Sequence, residues 1–259
     1  MAPGRWTKSV RAFLPNGSDS QSGATGPNPY RPFGTAAEFT VVPLDQVARL
    51  PLGASVEQGA CLGIPGITAH RAVHVAGAVS GRTVLVQGAS GSVGLCAVQL
   101  AHRARARVIG IIRSSADEAT ATKAGAHEVV RNDQQLIAKV RELAPKGIDH
   151  IIEVALGANL EADLELLKLS GSIAAYASDR ENPQIPFWPL VFKNIRLFFL
   201  GSDDFPRDAK ALAAKDLNAA LEAGWSGFDI AERIPLPEIA WAHELVEHPI
   251  RRGRVVVIP

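Results

Sequence analysis

Seven small residues in a row, Gly88–Gly94, are the part of this sequence best suited to chemistry. They follow an apolar segment and precede one with helical spacing. Small residues at such a turn let the chain turn tightly, let the backbone approach a phosphate, and let the helix pack on the strand. A helix N-terminus adds N–H groups and a positive dipole end. The run therefore predicts a pyrophosphate site, although Ala89 departs from the G-x-G-x-x-G pattern and an unliganded turn is the alternative.

The second position of interest lies at the end of the next apolar run, about 20 residues beyond the turn, where a site for NAD carries an acidic residue. This sequence has Arg113, Ser114 and Ser115 there, and its first acid is Asp117. A guanidinium with two hydroxyls can bind a 2′-phosphate. The pattern favours NADPH as the cofactor, and the alternative is a solvated surface charge at Arg113.

The elements that must position these residues alternate between short apolar runs and helical spacing, which is typical of βαβ units around a parallel sheet. Four runs are interpreted as strands buried on both faces. They are Thr83–Val86, Val108–Ile112, Ile148–Val154 and Ile173–Tyr176.

Helices are predicted from caps and composition. Ser115 and Glu118 form a capping box with Gly125 as the stop. The stretch 207–223, rich in Ala, Leu, Lys and Glu, predicts a long helix ending at Gly224. A last helix near 237–248 and a strand at 254–258 complete the chain.

The beginning of the chain has a different character. Residues 17–29 are rich in Gly, Ser, Asn and Pro, so residues 1–29 are expected to form a loose or atypical tail. The β-branched and aromatic content of 37–42 predicts a strand.

Composition limits the classes of function. The chain has 259 residues, 47% of them hydrophobic and 20% charged, as expected of a soluble globular protein. Its net charge of +1 makes nucleic-acid binding an unfavoured expectation. Cys61 and Cys96 are its two cysteines, too few for a disulfide framework, and they fit a reducing cytoplasm. We expect no membrane span, since the most apolar run, 190–200, is short and carries Lys193 and Arg196.

Several motifs in order resemble those of zeta-crystallin-type quinone oxidoreductases, a branch of the medium-chain dehydrogenase/reductase superfamily. Residues 84–94 resemble the family signature, 34–39 its GxxAEY strand, and 62–69 its linker helix. Residues 124–129 and 147–149 fall in the expected order, so the resemblance extends over residues 30–259.

The resemblance implies an α/β fold: a Rossmann domain, with a doubly wound parallel sheet, over 66–229, and a partial GroES-like β domain from 30–65 and 230–259. The first half of that β domain has no counterpart in 1–29, so we expect the cleft to lack a wall. The cofactor contacts implied by the resemblance are Ser90, Gly91, Ser92, Val93, Arg113, Ser114, Asn132, Asn159, Tyr176, Ala177, Ser178, Asp179, Leu200, Gly201 and Ser202.

The expected chemistry uses no metal. His70 and His74 are four residues apart but have no cysteine or third histidine nearby in the sequence, and Cys61 is a single ligand. Without zinc the acceptor must already be electrophilic, as a quinone or an enone is. We name no general acid or base, because Glu153 is better explained as a partner of loop backbone than as a catalytic group.

Three functions remain open: quinone reduction with NADPH, reduction of 2-enals or enoyl thioesters, and a nucleotide-binding or RNA-associated role without catalysis. The apolar segment 195–200 predicts a sheet edge that pairs in a homodimer or a tetramer. Nearby aromatic residues predict a core or subunit interface, or alternatively a wall for a flat quinone. They are Phe187, Trp188, Phe192, Phe198 and Phe199.

Overall fold

The structure is a computed structural model that describes residues 22–24, 36–40, 42, 46–248, 250 and 253–259. The strands are β1 (Ser22–Ala24), β2 (Val47–Arg49), β3 (Thr83–Val86), β4 (Arg107–Ile112), β5 (Glu128–Arg131), β6 (Ile148–Glu153), β7 (Leu167–Ala175), β8 (Arg196–Phe199), β9 (Ile230–Pro235) and β10 (Arg254–Ile258). The helices are α1 (Val56–His74), α2 (Ser92–Arg103), α3 (Glu118–Lys123), α4 (Leu136–Leu143), α5 (Leu156–Leu166), α6 (Phe187–Phe192), α7 (Arg207–Glu222) and α8 (Ile239–Glu247). Across this described part, no helix combines the length and apolarity that crossing a bilayer requires.

Residues 68–201 form one compact unit around a six-stranded sheet. The order is β5-β4-β3-β6-β7-β8, and every neighbouring pair is parallel. Strand order therefore reverses at β3, which lies between β4 and β6. In a doubly wound sheet the ligand crevice forms at this reversal, outside the carboxyl ends of the strands. The predicted α/β fold with a Rossmann sheet is confirmed.

The sheet is buried on both faces, which explains why its strands are continuous apolar runs rather than alternating ones. Leu85, Ile109, Ile151 and Ile173 all have no exposed surface. Each such side chain stabilises the fold by about 1.5–3 kcal/mol relative to exposure. This core fixes the strand ends that carry the candidate site.

Two features near the sheet differ from the sequence expectation. Strand β7 begins at Leu167, six residues before the predicted start, because its first part pairs with the start of β6 across an irregular register. The cap of the helical segment after β4 is Ser114 and not Ser115: Ser114 Oγ accepts a hydrogen bond from the Ala116 N–H at 3.4 Å. Residues 115–117 then form a 3₁₀ turn before α3, so the cap lies one residue earlier than predicted.

The second compact unit comprises residues up to 67 and 202–259. Within it, β1 pairs antiparallel with β2, and β9 pairs parallel with β10. Arg233 and Glu57 form a two-point ion pair at 2.6 and 2.7 Å. The Gln58 amide both donates to and accepts from the Phe228 backbone, at 2.7 and 2.8 Å.

Three expectations concern this unit. Residues 22–24 form β1, which pairs with β2 through backbone groups, so these three residues of the predicted tail lie in a strand. Elsewhere residues 1–29 lie outside the described residues. Of the strand expected at 37–42, residues 37–40 and 42 are described, and Thr40 alone of these makes a bridge. The segment 202–229, predicted to continue the Rossmann domain, groups with this unit, while its GroES-like character stays a prediction.

Candidate cofactor-binding site

The carboxyl edge of the six-stranded sheet carries the predicted cofactor contacts. Each of them follows the end of a strand, because the carboxyl ends of parallel strands meet at one edge. By strand they are Ser90–Val93 after β3, Arg113 and Ser114 after β4, Asn132 after β5, Asn159 after β6, Tyr176–Asp179 after β7, and Leu200–Ser202 after β8. Ser202 begins a 3₁₀ turn that belongs to the other unit.

The turn between β3 and α2 has the geometry of a phosphate cradle. Gly88 has φ +64°, a left-handed conformation suited to glycine, and its carbonyl accepts the Gly91 N–H at 2.9 Å. A Cβ at Gly94 would lie 2.0 Å from that carbonyl oxygen. Glycine at 94 is therefore required for α2 to start so close to the turn.

The N-terminus of α2 is available to an anion. Gly91 is its exposed N-cap residue, no side chain caps this end, and the first turn contains no acidic residue. An uncapped helix start carries N–H donors and a partial positive charge. A pyrophosphate fits these features, and Ser90, Gly91, Ser92 and Val93 are the residues that would hold it.

By the resemblance, the residues after β4 and β5 are the predicted adenosine side of the edge, and those after β6, β7 and β8 are the predicted nicotinamide side. The predicted adenosine side is polar and open. Arg113 and Asn132 are exposed, and Arg113 forms no ion pair with any residue that the structure describes. The Asn132 N–H is fixed by the Ile112 carbonyl at 2.7 Å, which holds the ends of β4 and β5 together. Beside Asn132, Asp133 pairs with Arg131 at 3.1 Å. Hydrogen bonds from the Gln135 backbone and from Arg131 lower the pKa of Asp133.

The nicotinamide side is more enclosed. Tyr176 donates its backbone N–H to the Glu153 carbonyl at 3.1 Å, and Leu200 donates to the Ala175 carbonyl at 2.9 Å. Burial, followed by the negative charge of Glu153, raises the pKa of the Tyr176 phenol well above its ordinary value. The residues 177–179 are exposed. A Cβ on Gly157 would lie 2.8 Å from Asp179 Oδ1, so the loop after β7 contacts the start of α5 closely.

Glu153 ends β6 and is fully buried. Its Oε1 accepts the Ala155 backbone N–H, and the Asn159 amide donates to Oε1 at 3.0 Å and to Oε2 at 3.3 Å. The expectation that Glu153 binds loop backbone is confirmed. The carboxylate ties the start of α5 to the end of the strand.

Two further polar residues, Gln87 and Asp163, were missed at the sequence level. Gln87 Nε2 donates to Asp163 Oδ1 at 3.1 Å, and both side chains are buried. Burial and the neighbouring charge of Glu153 raise the pKa of Asp163 well above its usual range. The sequence did contain one signal for this cluster. Two buried strands each have a polar residue at their end, Gln87 and Glu153. Nothing in the helical sequence around Asp163 marks it as their partner.

The candidate metal ligands and the aromatic cluster also have defined places. The rings of His70 and His74 lie 4.6 Å apart on α1. Burial raises the pKa of the Cys61 thiol to about 11, so it is not a thiolate near neutral pH.

Phe187, Trp188 and Phe192 of α6 are all more than 60% exposed, so the core interpretation is wrong for them. Strand β8 is an edge strand, as predicted.

The fold and the turn together define a Rossmann-type dinucleotide-binding protein, and comparisons with known proteins specify it further. The family described as Zinc-binding dehydrogenase matches residues 92–215. A quinone oxidoreductase of Lama guanicoe is 34% identical over 233 residues, which cover 87% of this chain and 69% of that relative. The chain belongs to the quinone oxidoreductase family of the medium-chain dehydrogenase/reductase superfamily.

The match covers only part of the curated quinone oxidoreductases, because the chain spans 66–70% of their length. Two solved structures show the same fold. A mycobacterial protein complexed with NADPH is 25% identical with a TM-score of 0.76, over 86% of this chain and 71% of that one. A 2-haloacrylate reductase is 25% identical with a TM-score of 0.78, over 88% and 74%.

Proposed function

We propose that this protein reduces quinones with NADPH by metal-free hydride transfer. The observation that carries the proposal is the shared edge: the uncapped start of α2, Arg113 and Asn159 all follow ends of one parallel sheet. Family membership and the NADPH bound by a similar protein support it. The fifteen residues named above are the proposed cofactor contacts.

NADPH, when bound, supplies a hydride to an electrophilic acceptor. The start of α2 and residues 90–93 hold the pyrophosphate, while Arg113 and Ser114 bind the 2′-phosphate and distinguish NADPH from NADH. Asn159 and residues 176–179 and 200–202 contact the nicotinamide end. Since a quinone needs no polarising group, these side chains act by orienting cofactor and acceptor. Hydride plus one proton from solvent then gives the hydroquinone.

The direct test is NADPH oxidation by purified protein with a panel of quinones, followed by nicotinamide absorbance. We expect turnover with quinones and a lower KM for NADPH than for NADH. Protein that binds NADPH yet reduces no quinone would contradict the proposed reaction.

The absence of a metal requirement is tested separately. We expect quinone reduction to survive prolonged dialysis against a chelator, with no stoichiometric zinc in the purified protein. Activity that is lost on dialysis and restored by zinc would overturn the metal-free mechanism.

A second candidate is the reduction of an activated alkene, such as a 2-enal or an enoyl thioester. The similarity to a 2-haloacrylate reductase favours it, because that enzyme's named substrate carries a polarised double bond. The same hydride geometry serves both acceptors. Relative kcat/KM for quinones and enones at equal NADPH would decide between the two activities.

We also propose a homodimer formed through β8. Strand β8 is the last strand of the described sheet, and two apolar side chains on it and on the preceding helix are exposed: Phe199 to 67%, and Phe192 of α6 to 73%. Exposed apolar edges in monomers favour aggregation unless they are paired. Light scattering should show a dimer that Phe199→Glu dissociates, whereas Leu212→Glu on the exposed side of α7 leaves it intact. A monomeric wild-type protein would refute this assembly.

A further inference from the structure

Two buried carboxyl groups lie near the end of β6, and the mechanism above uses neither of them. Glu153 ends β6, and Asp163 lies on α5; neither side chain has exposed surface. Two adjacent carboxylates in a dry site are strongly unfavourable unless a cation or a proton accompanies them. Among the residues the structure describes, no basic group contributes to the environment of Asp163.

The hydrogen bonds of the two groups are unequal. Glu153 accepts three, from the Ala155 N–H and from the Asn159 amide at 3.0 and 3.3 Å. Asp163 accepts one, from Gln87 Nε2 at 3.1 Å, and within the described part of the chain its Oδ2 has no donor. Donors stabilise the ionised form of the group that receives them. The charge therefore belongs on Glu153.

We propose that Asp163 carries a proton at neutral pH and donates it from Oδ2 to Glu153, so that the pair bears a single negative charge that positions Asn159 for the cofactor. The proton gives the unpartnered Oδ2 a hydrogen-bond partner. It also removes the repulsion between the two carboxyl groups. Burial of Asp163 and the charge on Glu153 both raise its pKa, in agreement with this assignment.

The consequence for the site concerns the Asn159 amide. Its nitrogen is committed to Glu153, which leaves Oδ1 as the side-chain atom for other partners. A carbonyl acceptor held in one orientation suits an amide N–H donor, such as the carboxamide of nicotinamide. The contact between Asn159 and the nicotinamide rests on the proposed function. Asp163 is thus a positioning residue that acts through Glu153 and Asn159.

The groups surrounding the pair leave its charge at one. Tyr176 follows β7 and stays protonated, because burial and the Glu153 charge raise its pKa. The Cys96 thiol of α2 is fully buried. Gln87, which follows β3, and Asn159 of α5 contribute neutral amides. Among the described residues, Glu153 is the one charged group that contributes to the environment of Asp163.

The proton itself can be observed by infrared spectroscopy of the full chain. We expect a C=O stretching band of a buried carboxylic acid at neutral pH, absent from Asp163→Asn. Asparagine keeps the geometry, since its amide can donate to Glu153 and accept from Gln87. A wild-type spectrum without the band, or a band that persists in D163N, would overturn the shared proton.

The pH dependence of stability gives a second readout. A raised folded-state pKa means that the contribution of Asp163 is complete below its unfolded value near 3.8 and is lost as pH rises through the folded value. The wild-type midpoint of thermal unfolding should therefore decline toward alkaline pH more steeply than that of D163N. Asp133→Asn, at an aspartate whose pKa is lowered, is the matched control and should follow the wild type. Equal alkaline slopes for D163N and the wild type would contradict the assignment.

The positioning role is tested by fluorescence titration with NADPH. Asp163→Leu removes the donor to Glu153 and should weaken NADPH binding about tenfold, whereas D163N retains the affinity. Equal affinities for D163L and the wild type would overturn the positioning role. A wild-type protein that shows the infrared band but binds no NADPH would contradict the proposed function and the role of Asn159, while the shared proton would stand.

Discussion

The two halves of the carboxyl edge present different kinds of surface to one elongated ligand. On the adenosine side, Arg113 and Asn132 are exposed, and their placement depends on the ends of β4 and β5. On the predicted nicotinamide side, the Asn159 amide is held by Glu153, and we propose that a buried neighbour, Asp163, holds Glu153 in turn. Under the proposed function, specificity at the first half would come from a solvent-exposed charge, whereas orientation at the second would come from buried hydrogen bonds. Mutations should therefore affect affinity on one side and both stability and pH dependence on the other.

The largest effect is expected where the two halves meet, at Gly94. A Cβ there would lie 2.0 Å from the Gly88 oxygen, which is backbone and cannot move aside cheaply. Gly94→Ala should lower the free energy of unfolding by about 3 kcal/mol and abolish NADPH binding. Thermal unfolding and cofactor titration measure the two effects.

Gly91→Ala is the matched control for Gly94, because its Cβ would lie 3.3 Å from the same oxygen at an ordinary φ of −77°. It should leave the free energy of unfolding nearly unchanged. If G94A were as stable as G91A, the turn would be looser than the structure shows.

His150, a buried residue on β6, gives a second test of how pH affects the stability of the buried side. His150 is fully buried, and its Nε2 lies 2.7 Å from the Ala72 carbonyl, which only accepts, so Nε2 carries the proton. Nδ1 then accepts from the Ser172 hydroxyl at 2.8 Å. Burial lowers the pKa of His150 below 6.5. Stability is therefore complete above pH 6.5 and falls as the pH decreases toward the folded-state pKa, since only the unfolded chain takes up the proton.

His150→Leu should remove this acid sensitivity and cost about 1–3 kcal/mol at neutral pH by leaving Ser172 and Ala72 without their partner. Urea unfolding over a pH series measures both effects. The acid response of His150 and the alkaline response proposed for Asp163 have opposite signs on neighbouring elements. An H150L protein that kept the wild-type acid slope would show that other groups cause it.

Arg113→Ala tests the contribution of the exposed side of the site to cofactor affinity. Loss of a charge-assisted contact with the 2′-phosphate should weaken NADPH binding about tenfold, or about 1.4 kcal/mol, and leave NADH binding and thermal stability unchanged. Titration with both nucleotides measures the ratio. Arg103→Ala, at the exposed end of α2, is the control and should change neither. An equal loss of affinity for NADH and NADPH would remove Arg113 from the 2′-phosphate site.

The smallest expected effect is a difference in unfolding free energy between variants of two neighbouring serines. Ser114→Ala removes the cap acceptor for the Ala116 N–H and should cost about 0.5–1 kcal/mol, whereas Ser115→Ala should cost less. The midpoints of denaturant unfolding for the two variants give the comparison. A larger loss from S115A would restore the capping box predicted from the sequence.

The exposed half of the site was predictable because it depends on chain order. Thr83–Val86 and the glycine turn are local patterns, and the carboxyl ends of parallel strands must share an edge. Arg113 could thus be placed at the carboxyl edge from its position after β4, while its contact with a cofactor stays a prediction. The assignment of the cap to Ser115 was wrong by one residue, because the choice between adjacent serines depends on backbone geometry at the strand end.

The buried half was only partly predictable. Glu153 was noted as a partner of backbone, but its second neighbour Asp163 is ten residues away on α5, and no spacing rule links them to Gln87. Packing of three elements brings these polar groups together. The grouping of 202–229 with one compact unit or the other also depends on packing, since α7 has ordinary helix composition that suits either unit.

The short distance between the start of α2 and the turn leaves this part of the backbone little room to rearrange. Because the Gly88 carbonyl and the Gly94 Cα already lie too close together for a Cβ, we expect the spacing of the amide donors to be set before the proposed nucleotide binds. Little backbone entropy is then lost on association, and the ligand must conform to the protein. Analogues with a lengthened bridge between the two nucleosides should be rejected more severely than analogues altered at the open adenine end.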